Sequence, residues 1–123
     1  MGITFFFDTY ALIELLRGSP SYLSATQGAS IVTTKLNLME LHFVILRNHG
    51  KDNADTAYDA FVEYAIPLSD DTFKEANQLK LQLNKRDVSY IDCVGYVLAR
   101  SQGAKFLTGD NAFKDLENVE FVK

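Results

Sequence analysis

Short apolar segments alternate with helical patterns along the whole chain, and this alternation restricts the fold more than any other feature. Segments rich in β-branched and aromatic residues are predicted as strands at 3–7, 29–33, 65–68, 105–108 and 119–122. Strands separated by helices predict a parallel sheet that is covered by helices on both faces. We therefore predict an α/β fold with a central parallel sheet of four to five strands. Pro67 places the third predicted strand at an edge or a strand end.

Capping residues and glycines mark the helix boundaries. Ser19 followed by Pro20 is typical of a helix start, and Gly18 and Gly50 are typical helix stops. The first helix follows the first strand as far as Gly18, and the other predicted helices cover 20–26, 35–48, 53–64, 70–84 and 90–101. The 123 residues contain no repeat or linker, so a single domain over 1–123 is expected.

Composition excludes several classes of function. The net charge of -4 and the pI of about 5.0 argue against a simple electrostatic nucleic-acid binder. An enzyme that reaches phosphates through a bound divalent metal is still allowed, because the ion supplies the positive charge. No apolar segment approaches the roughly 20 residues of a membrane span, so no membrane association is expected. The N-terminal segment has a strand pattern rather than a signal-peptide pattern, and the single cysteine indicates a cytoplasmic location.

Two aspartates directly follow predicted strands. Asp8 follows the first strand, and Asp110 follows the strand at 105–108 in the turn "TGDNAF". Ligands of parallel α/β sheets bind at the carboxyl ends of the strands, which makes both residues candidates for a site. A simpler interpretation is that Asp8 caps the next helix and that Asp110 belongs to an ordinary Gly-Asp-Asn turn.

Glu40 lies inside the helical segment "KLNLMELHFVIL". At about 100° per residue it falls on a broad apolar face that we expect to point to the core, together with Leu36, Met39, Phe43, Val44 and Leu46. A buried, unpaired carboxylate is costly and needs a partner such as a metal ion. Alternatively, Glu40 lies at the edge of this face with its carboxylate in water.

Asp92 lies in "SYIDCVGYVLA" and forms a capping-box pattern with Ser89. Its place in the first helical turn also directs it towards the strand ends, and Gly95 is expected to leave that face open. Asp115 is a weaker candidate, since it suits a solvated position before the last strand.

Together, Asp8, Glu40, Asp92 and Asp110 form a candidate catalytic and metal-binding set. Four clustered carboxylates repel one another without cations, and such oxygen-rich sites suit Mg²⁺ or Mn²⁺. Thr9 and Thr108 are candidates for orienting ligands or bound water. The chain has no P-loop and no zinc-type histidine spacing that would indicate another chemistry.

With these residues in place, the chain resembles the PIN domain family, and within it the small VapC-type toxins of prokaryotic toxin–antitoxin pairs. The resemblance rests on the acids in "FFFDTYALIELL", "TTKLNLMELHFVIL", "SYIDCVGYVLARSQGAKFLT" and "LTGDNAF", in this order. Thr9 matches the hydroxyl residue that commonly follows the first aspartate. Tyr10 and Cys93 depart from the small residues common there, and Tyr10 is expected to narrow the cleft.

The resemblance implies an endoribonuclease that uses one or two Mg²⁺ or Mn²⁺ ions held by Asp8, Glu40, Asp92 and Asp110. It also implies an RNA substrate, a VapB-type antitoxin and a homodimer, with the apolar helices between Leu12 and Tyr64 as the interaction surface. Lys85 and Arg86 are candidates for contacts with RNA phosphates, although a solvated turn is the simpler explanation for them.

Two rival interpretations remain. A Mg²⁺-dependent phosphotransfer domain is disfavoured, because paired acids are absent after the first strand and Tyr10 occupies the place of the second aspartate that haloacid-type phosphatases need. A non-catalytic PIN-fold interaction module is disfavoured by the presence of all four acids.

Overall fold

The sheet has four parallel strands in the order β2-β1-β3-β4, as the computed structural model of residues 2–123 shows. The strands are β1 (Thr4–Phe7), β2 (Ser30–Val32), β3 (Lys105–Thr108) and β4 (Val119–Phe121). The helices are α1 (Thr9–Leu16), α2 (Pro20–Ala25), α3 (Lys35–His49), α4 (Lys51–Phe61), α5 (Asp70–Gln82) and α6 (Tyr90–Ser101). Short 3₁₀ turns follow at Val62–Tyr64 and Asn111–Phe113. The predicted α/β class and the parallel sheet with helices on both faces are confirmed.

The three phenylalanines of β1 divide the core into two layers. Phe6 packs on one face of the sheet with Val94 and Leu98 of α6. Phe5 and Phe7 face the opposite layer, where the helices α1, α3 and α4 pack. Successive side chains of a strand point to opposite faces, so a continuous aromatic run suits a strand that is covered on both sides.

The predicted strand at 65–68 is wrong. Only one isolated bridge forms there, between Thr33 and Ala65, and the next residues have no regular structure. Pro67 has no N–H group to extend a ladder beyond this bridge. The helix predicted at 53–64 begins earlier, at Lys51, directly after the turn at Gly50, and its last turn tightens to 3₁₀ geometry.

Gly95 does not leave an open face, contrary to the expectation from the sequence. A Cβ atom at this position would lie 2.7 Å from Cε1 of Phe6 and 3.2 Å from Cε1 of Phe106. The glycine therefore lets α6 pack closely on β1 and β3. This close approach brings the start of α6, and with it Asp92, to the carboxyl edge of the sheet.

No helix within residues 2–123 has the length and apolar character needed to cross a bilayer.

Candidate active site

The carboxyl edge of the sheet carries a cleft of about 370 Å³ at the point where the strand order reverses. The chain runs from β1 to β2 on one side and then crosses from β2 to β3 on the other side of β1, and parallel α/β folds bind ligands at such a switch point. The cleft is lined by residues that follow β1, β3 and β4 and by the first turn of α6: Asp8, Thr9, Tyr10, Asp92, Gly109, Asp110, Asn111 and Lys123. Three of the four predicted acids thus meet in one cleft.

Asp8 caps α1 and is also buried in the cleft. Its Oδ1 accepts a hydrogen bond from the Ala11 N–H at 2.8 Å, and only 4% of the residue is exposed. The pKa of Asp8 is raised from 3.8 to about 7, mainly by burial; the hydrogen bonds from Thr108 and Ala11 lower it, and the negative charges of Asp92 and Asp110 add to the rise. The interpretation of Asp8 as a helix cap is confirmed, and since the same carboxyl group lines the cleft, Asp8 is still a candidate site residue.

Thr108 links Asp8 to the turn that carries Asp110. Its Oγ1 donates to Oδ2 of Asp8 at 2.5 Å and accepts from the Asp110 N–H at 3.0 Å. Oδ1 of Asp110 then accepts from the Ala112 N–H at 2.9 Å, which begins the 3₁₀ turn. The Gly-Asp-Asn turn is thus present, and it also holds Asp110 at the cleft.

Asp92 closes a complete capping box at the start of α6. Its Oδ2 accepts from the Ser89 N–H at 3.1 Å, and its own N–H donates to Oγ of Ser89 at 3.0 Å. Burial raises the pKa of Asp92, and the charges of Asp110 and Asp87 add to this effect. The box fixes one carboxylate oxygen by a backbone bond, while the residue still lines the cleft.

Glu40 lies beside this cleft rather than in its lining, and it reaches the site through Thr9. Thr9 Oγ1 donates to Oε1 of Glu40 at 2.5 Å and accepts from Nδ2 of Asn37 at 3.2 Å. Thr34 Oγ1 in turn donates to Oδ1 of Asn37 at 2.6 Å. This polar chain orients the Thr9 hydroxyl towards Glu40, whose pKa is raised by partial burial.

The expectation that Glu40 shares a core-facing stripe is wrong. Met39 and Phe43 on that face are 57% and 59% exposed, whereas the fully buried residues of α3 are Asn37, Leu38 and Leu41. Glu40 is half-buried because α1 covers it through Thr9, not because it points into the core.

The acids of the cleft take part in no ion pair among the described residues. The four ion pairs among residues 2–123 join Arg17 to Glu14, His42 and Lys51 to Asp55, and Arg86 to Asp115. None of them includes a cleft acid.

The donor set suits a hard divalent cation, since Mg²⁺ and Mn²⁺ prefer carboxylate oxygens. Oδ1 of Asp92 and Oδ2 of Asp110 accept no hydrogen bond from the part of the chain that the structure describes. Within residues 2–123, however, no three acidic, His or Cys side chains are already grouped tightly enough to hold an ion. The residues thus fit a metal in their chemistry, with a more open arrangement than a preformed metal site.

Lys85 and Arg86 lie outside the cleft lining. The Arg86 guanidinium forms a two-point pair with Asp115 at 2.6 and 3.0 Å and donates to the Ala112 carbonyl at 2.9 Å. It thereby ties the segment before α6 to the turn that holds Asp110.

Sequence reasoning missed Asn37, Asn111 and Lys123. Asn37 carries a detectable signal, because it lies three residues after Thr34 and three before Glu40, which places all three on adjacent turns of one helix face. Lys123 lies just after the end of β4, as Asp8 lies after the end of β1. The rule that ligands bind at the carboxyl ends of parallel strands therefore applies to Lys123 as well.

Comparisons with known proteins give one family and several solved structures. The model of the PIN domain family matches residues 5–119. A toxin–antitoxin complex from Klebsiella pneumoniae is similar over 94% of this chain and 95% of its own, with a TM-score of 0.75 and 18% identity. VapC20 of Mycobacterium tuberculosis, described as a sarcin–ricin loop cleaving toxin, has a TM-score of 0.74 and 18% identity over 94% and 98% of the two chains. VapBC2 of Rickettsia felis, bound to a promoter DNA fragment, has a TM-score of 0.72 and 16% identity over 98% of both. No curated protein sequence matches this chain.

Proposed function

Because the chain belongs to the PIN domain family, we propose that it is a metal-dependent endoribonuclease and the toxin of a VapBC-type toxin–antitoxin pair. The observation that carries this proposal is the cleft at the β1–β3 switch point, where Asp8, Asp92 and Asp110 meet without an ion pair among the described residues. Carboxylates in this state need an external cation. A similar structure that is described as cleaving an RNA loop supports RNA as the substrate class.

Asp8 and Asp110 are the proposed main ligands of Mg²⁺ or Mn²⁺, and Asp92 completes the set. Bound divalent ions activate water, polarise a phosphate and stabilise the leaving oxygen. Asp8 must lose its proton to bind an ion, and its pKa of about 7 places this step near neutral pH. Thr108 holds Asp8 and Asp110 in fixed relation, since its hydroxyl donates to the first residue and accepts from the backbone of the second.

Glu40 and Thr9 are proposed to act at the flank of the cleft. The Thr9 hydroxyl proton is directed to Glu40, and Asn37 holds that hydroxyl from the other side. Glu40 is therefore positioned to accept a proton from the attacking water or to hold a second ion. Lys85 remains a candidate for contact with RNA phosphates, and Arg86 could contribute only beside its pair with Asp115.

The proposed antitoxin and homodimer surfaces lie next to the site. Met39 and Phe43 are exposed, and together with Thr9, Glu40 and Val44 they line a cavity of about 490 Å³. Large exposed apolar side chains in one area are typical of interaction surfaces. A partner bound there would cover Glu40. Binding of the partner would therefore restrict access to this part of the site.

The test is cleavage of a set of RNAs by the purified protein with Mg²⁺ or Mn²⁺, with EDTA, and with the Asp8→Asn variant. Cleavage that is lost with EDTA and with Asp8→Asn supports the proposal. The variant Glu63→Gln is a matched control, because it removes one exposed carboxylate outside the cleft. Cleavage that survives both treatments would overturn the assignment of this site.

A non-catalytic PIN-fold interaction module is the second candidate. The open arrangement of the acids within residues 2–123 favours it, since they do not form a ready metal group. A metal titration separates the two candidates, because a module without a metal site gains no stability from Mg²⁺ or Mn²⁺. A phosphotransfer domain is the third alternative, and formation of a stable aspartyl-phosphate with a small phosphodonor would support it.

A further inference from the structure

Three residues of the cleft lining have no part in the metal-binding proposal. They are Tyr10, with an aromatic ring, Asn111, with an amide, and Lys123, with an ammonium group. These three groups match the three parts of a nucleotide, since a ring packs on a base, an amide bonds to a base edge and an ammonium binds a phosphate.

Tyr10 is held in place by packing of its aromatic ring and not by a hydrogen bond of its hydroxyl group. A Cβ atom on Gly109 would lie 2.2 Å from Cε1 of Tyr10, so the ring packs directly on the glycine backbone. The ring also lies against the buried Tyr22, with 6.2 Å between the ring centroids. The Tyr10 hydroxyl forms no hydrogen bond within residues 2–123, and it is not buried without a partner. The side chain is thus rigid and half-buried, and it contributes to the cleft lining.

Lys123 is fixed at the same edge by its backbone. The Val122 N–H donates to the Thr108 carbonyl at 2.9 Å, and the Tyr22 hydroxyl donates to the Val122 carbonyl at 2.6 Å. The Lys123 ammonium makes only a long contact of 3.4 Å to the Gly109 carbonyl. It forms no ion pair with the described acids, so its charge is available to a ligand.

We propose that Tyr10, Asn111 and Lys123 form a nucleotide subsite beside the carboxylates, in which Tyr10 takes the base, Asn111 the base edge and Lys123 the phosphate. This inference rests on the proposed ribonuclease function, since it names residues that select the nucleotide next to the cleaved bond. The cleft volume of about 370 Å³ lies within the range of small-molecule sites. Among the described residues that line the cleft, Lys123 is the one with a cationic side chain, so it is the group assigned to the phosphate.

The test uses mononucleotides, which have no phosphodiester bond for an endonuclease to cleave. ¹⁵N-labelled protein is titrated with AMP, CMP, GMP or UMP at a fixed Mg²⁺ concentration, and the amide shifts are followed by NMR. Inorganic phosphate and uridine are the reference ligands. At least one nucleotide is expected to shift the amides of Tyr10, Asn111 and Lys123 and to bind more tightly than either reference ligand.

Variants separate the two contacts. Tyr10→Leu is expected to raise the nucleotide Kd about fivefold or more, as expected from about 1 kcal/mol for one base–aromatic contact, and to leave phosphate binding unchanged. Tyr10→Phe should retain nucleotide binding, and Lys123→Ala should weaken nucleotide and phosphate alike. Lys105→Ala and Tyr64→Leu are matched controls, since neither residue lines the cleft.

Nucleotide shifts that map elsewhere, or Kd values that Tyr10→Leu and Lys123→Ala leave unchanged, would overturn the subsite. Because the titration measures nucleotide binding without RNA cleavage, the subsite can be refuted independently of the proposed nuclease function. RNA cleavage without nucleotide binding at these residues refutes the subsite alone. Nucleotide binding at these residues without cleavage of any RNA refutes the nuclease and leaves a nucleotide-binding cleft.

Discussion

Replacement of Asp8 by asparagine is expected to stabilise the metal-free protein at alkaline pH, although it removes a proposed metal ligand. Asparagine caps helices as well as aspartate does, so the bond from the Ala11 N–H is retained. The Thr108 hydroxyl, which donates to Asp8, can reverse its role and accept from the new amide group. The main change is therefore the loss of a buried negative charge.

The magnitude follows from the raised pKa of Asp8. The group has a pKa of about 7 in the folded protein and 3.8 as its ordinary value. As the pH rises from about 4 to 7, the unfolded chain loses this proton first, so the folded state becomes less stable relative to it. The carboxylate then costs about 2 kcal/mol at pH 5 and about 4 kcal/mol at pH 8, since one pKa unit corresponds to about 1.36 kcal/mol.

Urea denaturation followed by circular dichroism at pH 5 and pH 8, in EDTA, measures this difference. Between these pH values the wild type is expected to lose about 2–3 kcal/mol of unfolding free energy relative to Asp8→Asn. Glu63→Gln reports the general effect of removing one negative charge. At pH 8, Mg²⁺ or Mn²⁺ should stabilise the wild type but not Asp8→Asn, by about 2.7 kcal/mol at 100 times the Kd. A difference between wild type and Asp8→Asn that does not change with pH would refute the reasoning.

Three further predictions concern the surroundings of the cleft. Arg86→Ala is expected to slow RNA cleavage more than Asp115→Asn, because it removes both the pair with Asp115 and the bond to the Ala112 carbonyl, whereas Asp115→Asn weakens the pair alone; cleavage at the wild-type rate in both variants would refute a role of this tie in holding Asp110. Gly109→Ala should lower the unfolding free energy, measured by urea denaturation, by about 1–3 kcal/mol, because the new Cβ overlaps the Tyr10 ring. An unfolding free energy equal to that of the wild type would contradict the packing of Tyr10 on Gly109. Phe43→Asp should change the unfolding free energy by less than about 0.5 kcal/mol, because Phe43 is exposed. The same variant should reduce self-association in sedimentation experiments. An unchanged sedimentation profile would exclude this face from the homodimer.

Local signals in the sequence were sufficient for most of the fold. Ser89 caps the helix that it precedes, as its pattern with Asp92 predicts, because a side-chain oxygen that accepts a backbone N–H acts within one turn. Pairing of a strand is not local. The segment after Ala65 has a strand pattern, yet it lacks a neighbour to continue the ladder that begins at Thr33.

The site was only partly predictable for the same reason. Periodicity places Glu40 on one face with Met39 and Phe43, but it does not tell whether that face meets the core or solvent. The face is exposed, and Glu40 reaches the site because Thr9 from another helix binds it. Asn37 and Lys123 carry only positional signals in the sequence, and their place in the site depends on tertiary contacts with Thr9 and Gly109.

The order of the strands explains why the cleft is negative at its centre and positive at one side. In the order of the sheet, β2 is followed along the chain by the helix that contains Glu40, and β1 is followed by Asp8. Next in the sheet, β3 is followed by Asp110 and β4 by Lys123. The ammonium therefore lies beyond Asp110, where it forms no ion pair with the described acids. A basic side chain paired directly with Asp8 would lower its pKa and stabilise the fold. It would also neutralise the charge that attracts a cation, so the cost of the buried Asp8 carboxylate and its proposed role as a metal ligand have the same physical origin.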